Sequence, residues 1–177
     1  MKVGFIFLSC LLAGCAGLDA RCPTLPGGMR YCLQPAAEVF SAQQRVELRY
    51  RDRQETLIAL VEADHGNLQF VGLTPFGQKM VHVHCKGTQV EATLWPYDGV
   101  DPASLCALVQ LTLWPEDVLR VGLTPELVLG QAGELRTIHR GQALVFEARR
   151  IGTRAPYERL EVKLPALDAR LDITTLQ

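Results

Sequence analysis

The chain has 177 residues, 18 Lys and Arg against 19 Asp and Glu, a net charge of -1 and 48% hydrophobic composition, the size and balance of one globular domain. It contains no run of lysine or arginine, and because nucleic-acid binding leaves a basic footprint, that partner class is set aside. Ser41 and Ser104 are the only serines beyond the first fourteen residues, and GxSxG, HExxH, GxGxxG and P-loop patterns are all missing. No catalytic residue is therefore assigned, and no enzyme activity, metal or cofactor is expected.

Met1 and Lys2 form a short positive head before the apolar run Val3 to Leu12, the pattern of a secretory signal. Ten residues at about 1.5 Å each cover about half of a bilayer core, so the run is read as a cleaved segment and not a spanning helix. Leu12-Ala13-Gly14-Cys15 resembles the lipobox of bacterial lipoproteins. That resemblance implies a signal peptide over residues 1–14 and a diacylglyceryl group on the Cys15 thiol. Several acyl chains, at about 0.8 kcal/mol per buried methylene, hold such a chain on a membrane. Position +2 is Ala16 and not Asp, which under the enteric sorting rule implies the outer membrane, on its periplasmic face.

Export gives the remaining cysteines a meaning. Cys22, Cys32, Cys85 and Cys106 form an even set in an oxidising compartment, which predicts two disulfides. Of the three connectivities, Cys22 with Cys32 is favoured because Pro23 and Pro26-Gly27-Gly28 can turn the intervening segment back on itself. Cys85 with Cys106 then follows by elimination.

From Arg45 onward, period-two runs separated by turn chemistry predict strands. Val46, Leu48 and Tyr50 alternate with charged residues, and Arg51 to Gln54 turns into a second run, Glu55 to Ala63. Three more runs follow at meander spacing, Leu68 to Leu73, Lys79 to Cys85 and Gln89 to Trp95. Asp101 and Pro102 then open a helix with Leu105, Leu108 and Val109 on one face, and Pro115-Glu116-Asp117 opens a second that ends near Gly122. Strands resume over Glu134 to His139, Ala143 to Arg149, Tyr157 to Leu164 and Leu167 to Thr175. The expected fold class is mainly β with two short helices: a curved antiparallel half-barrel under lid helices. Residues 15–44 are an N-terminal segment and 45–177 one lipid-binding-type domain.

This order of elements resembles the outer-membrane lipoprotein receptor LolB and its periplasmic carrier relative LolA. Leu73-Thr74-Pro75-Phe76-Gly77 resembles the receptor's Asn-Pro-Leu-Gly loop, with Phe76 at the projecting leucine and Thr74 in place of the asparagine. Leu119-Arg120 after Pro115-Glu116-Asp117 resembles its second helix, and Leu160 to Lys163 with Leu171-Asp172-Ile173 resembles its closing hairpin. The whole chain also resembles a proteobacterial family of small lipoproteins without an assigned function, some encoded beside aryl-polyene pigment genes. These resemblances imply an acylated cargo or a periplasmic carrier as partner, besides the outer membrane itself.

A curved sheet under helices can enclose an apolar hollow, and the candidates for its wall are Leu57, Phe70, Val83, Leu94, Leu108, Val109 and Trp114. Pro75 and Gly77 place Phe76 at a loop tip, as a candidate membrane or cargo contact. An exposed phenylalanine forgoes roughly 1.5 to 3 kcal/mol of burial. His82 and His84 share a strand face without a third ligand, and Glu147, Glu158 and Glu161 are unpaired in sequence, so all five are expected on solvated faces. The expected function is the binding or insertion of acylated, hydrophobic molecules. The alternative is an envelope scaffold whose pocket is filled by its own side chains.

Overall fold

The computed structural model describes residues 21–96 and 101–176. Its first element is a small hairpin, β1 (Thr24–Leu25) and β2 (Met29–Arg30), folded around Pro26–Gly28. Five antiparallel strands follow as a meander: β3 (Phe40–Tyr50), β4 (Arg53–Asp64), β5 (Asn67–Leu73), β6 (Lys79–Lys86) and β7 (Gln89–Leu94). Two helices, α1 (Pro102–Leu113) and α2 (Glu116–Gly122), separate these from a second meander. That meander consists of β8 (Leu127–Ala132), β9 (Leu135–Arg140), β10 (Ala143–Ile151), β11 (Arg159–Leu164) and β12 (Ala169–Thr175).

The two meanders become one sheet because β12 pairs antiparallel with β3, giving the order β7-β6-β5-β4-β3-β12-β11-β10-β9-β8, not closed into a barrel. Side-chain alternation explains the seam. Leu171 lies opposite Leu48 and Ile173 opposite Val46, all on the inner face, while Asp172 lies opposite Glu47 on the outer face. Apolar pairs directly across a ladder stabilise it by about 0.2–1 kcal/mol each, and a slip of one residue would turn every one of them outward.

The fold is thus the expected one in class: mainly β, a large antiparallel sheet, two helices against one face. Three parts differ from the sequence expectation. First, β3 begins at Phe40 and not at Arg45; the polar run Ser41 to Gln44 hides a strand whose register with β4 is unbroken. Second, β8 was not expected. Gly130 interrupts its apolar run, and the Cβ of any other residue there would meet Thr137 Oγ1 at 2.8 Å. Third, Tyr157 and Leu167 lie in connections, β11 starting at Arg159 and β12 at Ala169.

Both helices start as the sequence chemistry dictates. Asp101 Oδ1 accepts from the Ala103 amide at 2.9 Å and Pro102 occupies the first helical position. Glu116 and Asp117 lie in the first turn of α2, and Arg120 pairs back with Glu116. The segment between β2 and β3 crosses these helices as a strap. Leu25, Met29, Tyr31 and Leu33 are buried, so this N-terminal stretch belongs to the same core as the sheet.

Candidate functional site

Helix α1 is fixed at both ends and along one side. Near its start, Cys106 is disulfide-bonded to Cys85 on β6. In the middle, Gln110 Oε1 accepts from the Tyr31 hydroxyl at 3.0 Å and the Gln34 amide at 2.9 Å, and its Nε2 donates to the Gln34 carbonyl at 2.8 Å. At the end, the Trp114 indole N–H donates to the Pro35 carbonyl, and Arg136 on β9 donates to the carbonyls of Leu111 and Thr112. The second disulfide, Cys22 with Cys32, closes the strap, and the Cys32 amide donates to Gly122 at 2.7 Å. Both disulfides are those expected.

Between the helix so held and the inner faces of β3, β4, β11 and β12 lies an apolar hollow of about 550 Å³. This is within the range that holds a small-molecule ligand. Its wall is almost wholly aliphatic and aromatic; Arg53 and Glu55 are the charged residues on it. Along β3 the wall passes from buried Gln44 and Val46 to half-buried Leu48 and Tyr50, and along β4 from buried Val61 through half-buried Leu57 to exposed Glu55 and Arg53. The hollow is therefore closed near Gln44 and Val61 and opens toward the β3–β4 turn.

Four of the seven residues expected on this wall are there: Leu57, Phe70, Leu108 and Val109. The other three are not. Val83 is one alternation beyond the lining residue Val81 on β6 and is fully buried in the core. Trp114 is fully buried at the end of α1, with its indole turned to the strap. Leu94 is partly exposed on edge strand β7, where a bulge pairs it with His82. Missed lining residues include Leu48, Tyr50, Leu105, Leu171 and Ile173.

Phe76 is fully exposed. The loop that carries it is closed by Thr74, whose amide donates to the Gln78 carbonyl at 2.8 Å and whose hydroxyl accepts from the Gln78 amide at 3.1 Å. Gly77 completes the turn at φ +83°, a conformation that side-chain-bearing residues rarely adopt. Strand register places this tip at the open end of the hollow. Tyr50 pairs with Arg53 at one turn, and β5 runs back along β4 so that Leu73 faces Ile58. Ala169 pairs with Tyr50, which brings the Pro165–Leu167 connection, including the lining residue Leu167, to the same end.

The weaker candidates lie away from the hollow. His82 is on the outer face, its Nε2 3.1 Å from Gln69 Nε2 and its Nδ1 2.7 Å from Thr93 Oγ1, so the amide donates to one ring nitrogen and the other donates to the hydroxyl. His84 shares that face through its pairing with Glu91. Glu147 pairs with Lys163, and Glu161 with Arg159 and Arg170; Glu158 is exposed next to β11. Among the described residues no group of three metal-ligating side chains occurs. Cys15 lies outside the described residues.

Fold and hollow together define an open antiparallel sheet whose covering helix leaves a lined, one-ended apolar space. The family model described as "Protein of unknown function (DUF3261)" matches residues 41–177, and the chain belongs to that family. Among curated proteins none matches it.

Proposed function

We propose that the protein is an outer-membrane lipoprotein, anchored through Cys15, that binds or inserts acylated or other hydrophobic molecules through the hollow beneath α1, without catalysis. The observation that carries this reading is the hollow itself. Leu57, Leu108, Val109, Leu171 and Ile173 remain only half-buried around it, and leaving such side chains short of full contact forgoes a large part of the 1.5–3 kcal/mol that burial of each is worth, roughly. An acyl chain would restore those contacts.

Exposed Phe76 at the open end supports a membrane or cargo contact there, in line with the projecting leucine of the LolB-like carriers that the loop resembles. Two disulfides suit an oxidising compartment. On this reading the partners are the outer membrane, an acylated cargo and a periplasmic carrier that delivers it. The scaffold alternative requires the pocket to be filled by the protein's own side chains, and the half-buried wall favours ligand binding over it.

Native mass spectrometry and solvent extraction of the chain, with Cys15 replaced and residues 1–14 omitted, test the proposal. Co-purifying acyl species, or stoichiometric uptake of a fluorescent fatty acid, is the expected result. A bare protein that takes up no such probe would refute it. For the anchor, Cys15→Ala is expected to give an unprocessed precursor; continued cleavage at that site would refute lipidation.

A further inference from the structure

The end of the sheet at which the hollow opens differs in charge from the opposite end. Exposed Arg49, Arg51, Arg53, Lys79 and Arg140 gather at the open end, against the carboxylates Asp52, Glu55, Glu126 and Asp168. At the far end the turns and strand ends carry Glu62, Asp64, Glu134 and Glu158, against Lys86, Arg154 and Arg159. Ion pairs form elsewhere, on the outer face: Arg45 with Glu47, Arg159 with Glu161, Lys163 with Glu147. Arg49, Arg53 and Lys79 are in no ion pair among the described residues, and Arg51 stacks over the Tyr50 ring with 5.0 Å to its centroid. Tyr50 in turn lines the mouth of the hollow.

We infer that this end docks on an anionic phospholipid bilayer, with Phe76 entering the interface and Arg49, Arg51, Arg53 and Lys79 against the headgroups, so that the hollow opens onto the membrane. The inference rests on the proposed lipid-handling role and adds the chemistry of the surface it works on. One exposed aromatic side chain gives only modest partitioning. A basic residue at an anionic surface adds about five-fold each, within a Debye length of about 10 Å. Four such residues around a single aromatic tip would therefore orient the domain reversibly, with its acidic end pointing away.

The test uses the full chain reconstituted in vesicles and carrying Phe76→Trp, with the parent chain subtracting the emission of Trp95 and Trp114. Brominated acyl chains should quench the new tryptophan strongly in vesicles of phosphatidylcholine with phosphatidylglycerol. Quenching should be several-fold weaker in phosphatidylcholine alone or at about 0.5 M salt, where the Debye length is only a few ångströms. Adding Arg49→Gln, Arg51→Gln and Lys79→Gln should remove most of the difference between the anionic and the zwitterionic signal, with Arg53 left to supply the remainder. Circular dichroism should show an unchanged melting curve. Equal quenching in both lipids, or none in either, would overturn the inference; the second result would leave this end to a protein partner or to solvent. Uptake of a fluorescent fatty acid, measured in parallel, separates the two claims. Uptake with charge-independent quenching overturns the docking alone, whereas charge-dependent quenching without uptake supports the docking and overturns the ligand-binding role.

Discussion

The Arg136 guanidinium donates to the Leu111 carbonyl at 2.7 Å, in the core, where the arginine is 1% exposed and no carboxylate among the described residues bonds it. Its Nη1 also lies 3.4 Å from the Thr112 carbonyl, and its Nε donates to Gln131 Oε1 at 3.1 Å. The cation thus sits at the negative end of α1 and satisfies carbonyls that the helix leaves without partners. Burial, followed by repulsion from Arg150, pulls its pKa down to about 10, so it stays charged at neutral pH.

Replacing Arg136 with methionine keeps much of the volume but leaves those carbonyls unsatisfied. Arg136→Met should cost about 2–4 kcal/mol. Urea unfolding with an unchanged slope would measure it, and a cost below about 0.5 kcal/mol would show that the carbonyls find other donors.

Tyr31 gives a pH signature. Burial raises its phenol well above the ordinary 10.0, and its hydroxyl donates to Gln110. In the unfolded chain the phenol ionises near 10 while the folded one keeps its proton. The stability it contributes is therefore fully present below pH 10 and is lost as pH rises above it. Arg136, with its lowered pKa, acts in the opposite sense over the same range. The difference between parent and Tyr31→Phe isolates the tyrosine. The variant should lose about 1 kcal/mol at pH 8, and the gap should narrow in melts above pH 10. A gap independent of pH would count against a buried, protonated phenol.

Gly122 marks a close approach of the strap to α2. A Cβ there would lie 2.5 Å from both the Cys32 carbonyl oxygen and the Tyr31 ring, the former being backbone that cannot swing aside. Gly122→Ala should destabilise by about 2–4 kcal/mol despite the better helix propensity of alanine. A neutral or stabilising result in thermal melts would mean that the strap packs elsewhere.

All four cysteines of the described residues should resist alkylation in unfolded, unreduced protein, and peptide mapping should return Cys22 with Cys32 and Cys85 with Cys106. The double variant Cys85→Ala, Cys106→Ala should cost about 2–4 kcal/mol. It should also raise amide exchange along α1, since the helix loses its tie to β6. Protection of α1 equal to that of the parent would show that the strap and Arg136 hold it without the disulfide.

Two further substitutions separate the hollow from the tip. Val109→Trp should fill part of the hollow, with a small change in melting temperature and a several-fold fall in fatty-acid uptake, because the indole enters existing space and displaces no packed neighbour. Phe76→Glu should leave the melt unchanged, as the side chain is fully exposed, and weaken contact with vesicles. A large loss of stability at Phe76 with lipid contact intact would reverse its assignment.

Sequence period identified the inner face of most strands, since Val46, Leu171 and Ile173 alternate cleanly with charged neighbours. It did not say which part of that face stays uncovered. The hollow exists where β3 meets β12, and pairing between residues as far apart as Gln44 and Thr175 has no local signal. Leu57, Leu108 and Val109 were legible because they lie on faces that any cover must meet. Val83, Leu94 and Trp114 are as apolar, but Val83 is buried in the core, Leu94 lies at the β7 bulge and the Trp114 indole bonds the strap. Gln110 and Arg136 were missed because a polar residue in an amphipathic run reads as solvent-facing until its buried partners are known.

The seam between β3 and β12 also governs the order in which the fold can be completed. Its partners are nearly the first and the last of the described strands, so the middle of the sheet is the last part of it to be made. Until Ala169–Thr175 is available, the first meander presents β3 as a bare edge with unpaired amides, which invites pairing with other chains. Closing so long a loop is slow compared with local hairpin formation. A chain crossing a membrane in an extended state would gain its central strand only after residues 169–175 had arrived, and a truncation that removes them would cut the sheet through its centre.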